Sequence, residues 1–208
     1  MPISSILHTF LIRNKSITLF VPDPNALVEE VKTQKMAPAA FYWARVWPAA
    51  IGLCTFLQDN LPYIRNKKIL EMAAGPGLPG IFSAPHAASV CISDIEPKAV
   101  ELVQQSVELH QLNNVSCQVI DWNDLSNVSI PETVLLSDIN YEPAQFEKLL
   151  TIIDYLLMKQ CTIILSTPQR LMAKDFIKQL LVHCKDQAVI DVEMDGKQTA
   201  ISVFVLKQ

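Results

Sequence analysis

The segment Lys68-Ile69-Leu70-Glu71-Met72-Ala73-Ala74-Gly75-Pro76-Gly77-Leu78-Pro79-Gly80-Ile81 carries the residues whose types and spacing most directly suggest chemistry. A short apolar run ends in a carboxylate, passes through small residues and re-enters an apolar segment at Pro79. This is the pattern of a strand, a tight loop and a helix. Glycine at 75 and 77 lets a backbone bend sharply and approach a ligand closely, and proline suits a first helical turn, where its missing N–H is no loss. The spacing Gly75-x-Gly77-x-x-Gly80, with Asp94 nineteen positions after Gly75, matches the fingerprint of a loop that cradles a nucleotide-type cofactor.

Further candidates follow other apolar runs. Asp94, Asp121-Trp122 and Ser137-Asp138 each stand at the end of a short buried-strand pattern, as Glu71 does. In an open α/β sheet, ligands sit beyond the carboxyl ends of the strands near the switch point, so these positions would face one crevice. Asp94 is placed to accept hydrogen bonds from ribose hydroxyls, Asp121 from an exocyclic amine, and Trp122 offers a flat face to a purine. A carboxylate after a strand also commonly caps the next helix, and the large aromatics of Phe41-Tyr42-Trp43-Ala44-Arg45-Val46-Trp47-Pro48 would equally serve as a plug against the sheet.

The elements that must position these residues are read from periodicity. Residues 69–72, 90–93, 116–120, 133–136 and 162–165 form five short apolar strands, and the segments between them carry helical spacing. Prolines open helices at Pro48, Pro97, Pro143 and Pro168; Val100, Val103 and Val107 share one face of the second, which Asn113-Asn114 ends. Residues 188–194 and 199–206 flank Asp195-Gly196, a strong hairpin signal, so the sheet finishes with an antiparallel pair. The expected fold is a doubly wound, Rossmann-like seven-stranded sheet, mostly parallel, with a C-terminal antiparallel hairpin. Residues 1–40 form an N-terminal extension, a hairpin over residues 3–21, a short helix over 25–35 and a connector over 36–40. Residues 41–208 form the main domain.

Composition bounds the function. With 50% apolar and 18% charged residues the chain is a packed globule, and a net charge of −4 supplies no basic field for nucleic acid. Five cysteines stand singly with no C-x-x-C pair, which indicates neither a metal site nor a disulfide framework and fits a reducing compartment. The apolar stretch at residues 6–12 lacks a basic leader and a cleavage site, and no run is long enough for a membrane span. The expectation is a cytoplasmic protein with no metal, no nucleic-acid partner and no membrane association.

The stretch from Leu70 to Gly80 resembles the first motif of the seven-β-strand S-adenosylmethionine-dependent methyltransferases. Within them the chain is similar to the protein-lysine methyltransferase group, which includes enzymes acting on Hsp70-type chaperones and on the electron-transfer flavoprotein β-subunit. Val46-Trp47-Pro48-Ala49-Ala50 matches the group's Trp-bearing segment, Asp121-Trp122 its acidic or polar residue followed by Trp, and Asp138-Ile139-Asn140-Tyr141 its Asp-x-x-Tyr motif. The resemblance runs from about Phe41 to Arg170. It implies that Glu71, Ala73, Ala74, Gly75 and Gly77 line the methionine and ribose side of S-adenosyl-L-methionine. Asp94 would hold the ribose, Asp121 and Trp122 the adenine, and Trp47 and Ser137 the remaining wall. Asp138 and Tyr141 would stand where the acceptor, a protein lysine, meets the methyl group, leaving S-adenosyl-L-homocysteine as product. The chain departs from the pattern at Ala73, where glycine is usual, and at Pro76, where threonine is common.

Other readings compete. A small-molecule N-methyltransferase would show an open pocket mouth in place of a broad docking rim. A nicotinamide-dependent oxidoreductase is suggested by the glycine spacing but opposed by Asp121-Trp122 and by the lack of a Tyr-x-x-x-Lys relay. A module that binds cofactor without turnover is kept in view by Ala73. No Asn-Pro-Pro-Tyr segment follows the fourth strand, which disfavours amino-methylation of DNA bases or glutamine.

Overall fold

In the central strands successive side chains enter different cores, as strand geometry requires. In β3 (Lys68–Met72), Ile69 joins one apolar cluster while Leu70 and Met72 join another. β6 (Thr133–Ser137) and β7 (Thr162–Pro168) divide likewise: Leu135 and Ile164 face one way, Val134, Leu136, Ile163 and Leu165 the other. A sheet apolar on both faces must be covered on both, which gives three layers. The computed structural model describes residues 4–34, 38–125 and 128–208.

The main sheet has seven strands in the order β5-β4-β3-β6-β7-β9-β8. β3, β4 (Ser89–Asp94), β5 (Val115–Val119), β6 and β7 are parallel, and β9 (Lys197–Leu206) pairs antiparallel with β7 and with β8 (Cys184–Met194). Asp195 and Gly196 join β8 to β9 with φ of 53° and 71°, the two left-handed residues that match the twist of a two-residue hairpin. The strand order runs outward in both directions from the β3/β6 pair, so the switch point lies there.

On one face lie α2 (Pro48–Asp59), α3 (Leu78–Ser83) and α4 (Pro97–Leu109); on the other lie α5 (Phe146–Met158) and α6 (Lys174–Leu180). The N-terminal hairpin, β1 (Ser5–Ile12) and β2 (Lys15–Pro22), lays Phe10, Ile12, Ile17, Leu19 and Val21 into the same core as α2 and α3. It is tied to α4 by the Phe20 N–H, which donates to Ser106 Oγ at 2.9 Å. α1 (Pro24–Gln34) and a 3-10 helix (Pro38–Ala44) lead into the main domain, so residues 38–40 of the expected connector are helical; residues 3 and 35–37 lie outside the described residues.

Proline stands in the first turn of α2, α3 and α4. At Pro143 it opens a 3-10 turn (Pro143–Gln145) that runs into α5. Pro168 differs from expectation: it is the last residue of β7, opposite Ile201, and no helix starts there. A proline at a strand's end removes a donor the ladder no longer needs, and the helical segment begins only at Leu171. α4 ends at Leu109, short of Asn113-Asn114, because Gln111 takes φ 53° and the Leu112 N–H turns back to the Val107 carbonyl. Among the described residues no helix is long and apolar enough to cross a membrane.

α2 approaches the sheet through Gly52, where an added Cβ would stand 2.8 Å from Ile201 Cγ2. Gly52→Ala should therefore lower stability: overpacking of about 1–3 kcal/mol outweighs the roughly 1 kcal/mol that alanine gains over glycine in a helix. Urea unfolding of Gly52→Ala, Ile201→Ala and the double variant checks this; the double variant should be more stable than the sum of the single effects indicates.

Candidate active site

β3 delivers the chain into a loop of alternating handedness. Ala73, Gly75 and Gly77 all take positive φ, at 50°, 52° and 73°, and Gly77 is the N-cap of α3. Ala73 therefore holds a conformation that favours glycine, and the methyl group there carries a backbone cost of about 1–2 kcal/mol.

Two carboxylates fix the loop. Asp94, the last residue of β4, accepts from the Gly75 N–H at 2.8 Å through Oδ2 and from the Glu96 N–H at 3.0 Å through Oδ1. Glu71, within β3, accepts from the Gly80 N–H at 2.7 Å through Oε2, while Oε1 is buried with no partner among the described residues. Glu71 is only 1% exposed. Burial first, and then the nearby Asp94 carboxylate, outweigh the Gly80 hydrogen bond and push its pKa from 4.5 to about 8. Burial also raises Asp94, against the hydrogen bonds from Glu96 and Gly75 that hold it down.

Beyond the carboxyl ends of β3, β4, β5 and β6 lies a hollow of about 680 Å³. Trp47, Ala73, Ala74, Gly75, Asp94, Asp121, Trp122, Ser137, Asp138 and Tyr141 all line it, so residues far apart in sequence meet at the switch point. Two of the expected residues do not. Glu71 points beneath the loop toward α3, on the same side of β3 as Ile69, because alternate strand residues share a face. Gly77 is buried against Ile92 and Val103, each 3.1 Å from where its Cβ would stand. Even Gly75 owes its small size to the protein itself, since a Cβ there would meet the Trp43 carbonyl oxygen at 2.8 Å.

The opposite wall is aromatic and charged. Tyr42 packs edge-on against Trp47 and Tyr141, with ring centroids 5.8 Å and 5.0 Å apart, and its carbonyl accepts from Trp47 Nε1 at 2.9 Å. Arg45 lies 4.4 Å over the Trp47 ring and 3.7 Å from Asp195 in the β8–β9 turn. Burial first, and then the Glu142 carboxylate, raise the Tyr141 hydroxyl's pKa, so it faces the hollow as a neutral phenol. Asp138 takes φ 57°, donates its N–H to the Ser166 carbonyl at 2.9 Å, and forms an ion pair with Arg170. Tyr42, Arg45, Ile95, Glu96, Lys148 and Arg170 line the hollow without having been expected to. Arg170 was accessible to the same strand-end rule, since it lies two residues past β7; Tyr42 and Lys148 carry no such signal. Among the described residues no group of three His, Cys, Asp or Glu side chains is placed to hold a metal ion.

The sequence matches the family described as lysine methyltransferase over residues 39–183. The histone-arginine methyltransferase METTL23 of Mus musculus is 27% identical over 182 residues, 85% of this chain and 72% of that protein. The protein N-lysine methyltransferase METTL21A of Xenopus tropicalis is 31% identical over 167 residues, 77% of this chain and 75% of that protein. In fold the chain is similar to the T. thermophilus 16S rRNA N2 G1207 methyltransferase RsmC, solved with AdoMet and guanosine. The TM-score is 0.66 at 13% identity, over 98% of this chain and 51% of that one.

The buried carboxyl at Glu71 gives stability a pH dependence of definite sign. The folded chain keeps this proton up to about pH 8, whereas the unfolded chain releases it near the ordinary value of 4.5. Its contribution is complete below that value and is lost as pH rises through the window, at about 1.36 kcal/mol per unit. Glu71→Gln, which cannot ionise, should gain roughly 3–4 kcal/mol on the wild type between pH 5 and pH 8, as read by chemical denaturation at both. Ala73→Gly should raise the thermal midpoint, the relief of left-handed strain exceeding the added chain entropy by up to about 1 kcal/mol.

Proposed function

The chain belongs to the lysine methyltransferase family, and on that premise we propose that it transfers a methyl group from S-adenosyl-L-methionine to a lysine side chain of a protein. The observation that carries this reading is the convergence of Trp47, Asp94, Trp122 and Asp138 on one hollow of about 680 Å³. That volume lies within the range of small-molecule sites, and its lining mixes aromatic faces with a few directed polar groups.

The residues fit the cofactor. Asp94 spends one lone pair of Oδ2 on the glycine loop and one of Oδ1 on the Glu96 N–H, and keeps others for ribose hydroxyls. Asp121 holds the Asn123 N–H at 2.9 Å through Oδ1 and so presents the turn at which Trp122 offers its face to a purine. Ala73, Ala74 and Gly75 place backbone along the amino-acid side, with Trp47 and Ser137 on the remaining walls. When bound, the sulfonium supplies an already electrophilic methyl group. The chain's task is then alignment in a water-poor site. Asp138 and Tyr141 are the residues that would meet the acceptor, and Tyr141 packs against the exposed Tyr42 at the rim. A lysine amine must also arrive without its proton. From a reference pKa of about 10.4, that costs roughly 4.6 kcal/mol at pH 7, which removal from water into an apolar site reduces.

A second reading, an arginine acceptor, draws on the similarity to METTL23 over 85% of the chain. Five free cysteines, none paired, support a reducing compartment such as the cytoplasm. The family match stands against the nicotinamide-dependent reading.

Isothermal titration should show S-adenosyl-L-methionine and S-adenosyl-L-homocysteine binding, with none for NADH. Trp122→Ala should weaken both by about 1–3 kcal/mol, the worth of one stacked base. Unchanged affinity in that variant would remove the purine-stacking role, and tight NADH binding with none for the sulfonium compound would overturn the reading.

A further inference from the structure

We propose that Arg170 is a positioning residue that holds Asp138 as half of an ion pair and thereby allows an acceptor lysine to stand uncharged in the hollow. The proposal rests on the methyl-transfer reading above and concerns how the acceptor is prepared and selected.

The pairing of β6 with β7 brings the two groups together. Ser137 stands opposite Ser166, the Asp138 N–H is held by the Ser166 carbonyl, and the chain reaches Arg170 just after β7 ends at Pro168. Arg170 Nη1 donates to Asp138 Oδ1, and both residues line the hollow. The pair is not a surface ornament: the side chains are 26% and 6% exposed, so solvent screens them far less than an exposed pair.

The other charged groups around the hollow have different employment or position. Arg45, entering α2, is taken up by the Trp47 face and Asp195. Beyond β4, Asp94 is committed to the glycine loop and Glu96 caps α4 through the Lys98 N–H. Asp121, beyond β5, holds Asn123. Glu142 and Lys148, on the exposed approach to α5 and on α5 itself, are of opposite sign. Among the described residues Asp138 is therefore the lining carboxylate seen paired with a side-chain cation, and Arg170 is that cation.

The chemistry follows from sign. The acceptor nitrogen attacks with its lone pair, forming the N–C bond as the S–C pair returns to sulfur, so the amine must first give its proton to solvent. A bare carboxylate beside it would hold the ammonium form, raising its pKa by about 1–3 units. Paired with Arg170, Asp138 presents nearly no net charge, and the guanidinium opposes a second cation. A lysine can answer by losing its proton. An arginine acceptor cannot, so the same pair selects an amine over a guanidinium.

The test uses methyl-labelled S-adenosyl-L-methionine with the proteins of a cell lysate as acceptor, initial rates from pH 6.5 to 9.5, and hydrolysis of the labelled protein to amino acids. Label should appear as methyl-lysine. Arg170→Met should move the midpoint of the pH–rate curve upward by about one unit or more, and Arg170→Lys should restore most of it. Arg170→Met combined with Asp138→Asn should bring the midpoint back toward the wild type even where the rate stays low. If Arg170→Met does not fold, Asp138→Asn alone, which leaves the guanidinium unopposed, should move the midpoint downward. A slower variant with an unmoved midpoint, or label in methyl-arginine, overturns the proposal while calorimetric cofactor binding persists. Absence of cofactor binding by the wild type overturns the reading beneath it.

Discussion

Two backbone N–H groups, those of Gly75 and Gly80, end on carboxylates supplied by neighbouring parallel strands, and the shape of the hollow follows from them. The loop between them changes hand at Ala73, Gly75 and Gly77 and has no ladder of its own to hold it. Asp94 pins the loop at Gly75 and Glu71 pins its descent into α3. Each glycine makes room for a different protein neighbour: the Trp43 carbonyl at Gly75, Ile92 and Val103 at Gly77, and the Glu71 carboxyl itself at Gly80, 2.5 Å from where a Cβ would stand. Small residues are thus required here before any ligand is considered. The two carboxylates differ in what burial does to them. Glu71 is sealed from water and best kept as a neutral acid that still accepts a hydrogen bond, whereas Asp94 keeps access to the hollow and two backbone donors.

Much of this was legible in the sequence because it rests on local rules. Strand alternation, proline at helix starts and the Asp195-Gly196 turn give the seven-stranded sheet and its antiparallel end, and the strand-end rule points to Asp94, Trp122 and Asp138, which line one hollow. Glu71 could have been placed by the same alternation: it shares a parity with Ile69, so it faces the helix-covered core and leaves the crevice to its neighbours. Pro168 shows the opposite difficulty. A proline after an apolar run is compatible with a strand's last residue or a helix's first, and only the partner strand, here β9 at Ile201, decides.

What local rules could not supply is register across strands and the path of the segment before α2. The ion pair of Asp138 and Arg170 spans thirty-two positions and exists because β6 and β7 pair as they do. The Tyr42 contacts with Trp47 and Tyr141 depend on a kink at Phe41, whose φ of −117° interrupts the 3-10 helix and turns the following aromatics toward the hollow. Neither feature leaves a periodic trace in the sequence.

The hollow that results is electrically lopsided. Among the described residues it is lined by Asp94, Glu96, Asp121, Asp138 and Glu142 against Arg45, Lys148 and Arg170. The excess of negative charge lies beyond β4 and β5, where no lining cation is paired with Asp94, Glu96 or Asp121. Beyond β6 and β7 the charges are matched, and the wall continues into Tyr42, Trp47 and Tyr141. A cation entering the hollow is thus drawn toward the β4–β5 side. On the β6–β7 side it meets a carboxylate already compensated by a guanidinium, so the pull toward the charged form is weaker there. Two such unlike surroundings stand side by side in one hollow. A doubly wound sheet supplies them, because the strands on either side of its switch point end in independently chosen residues.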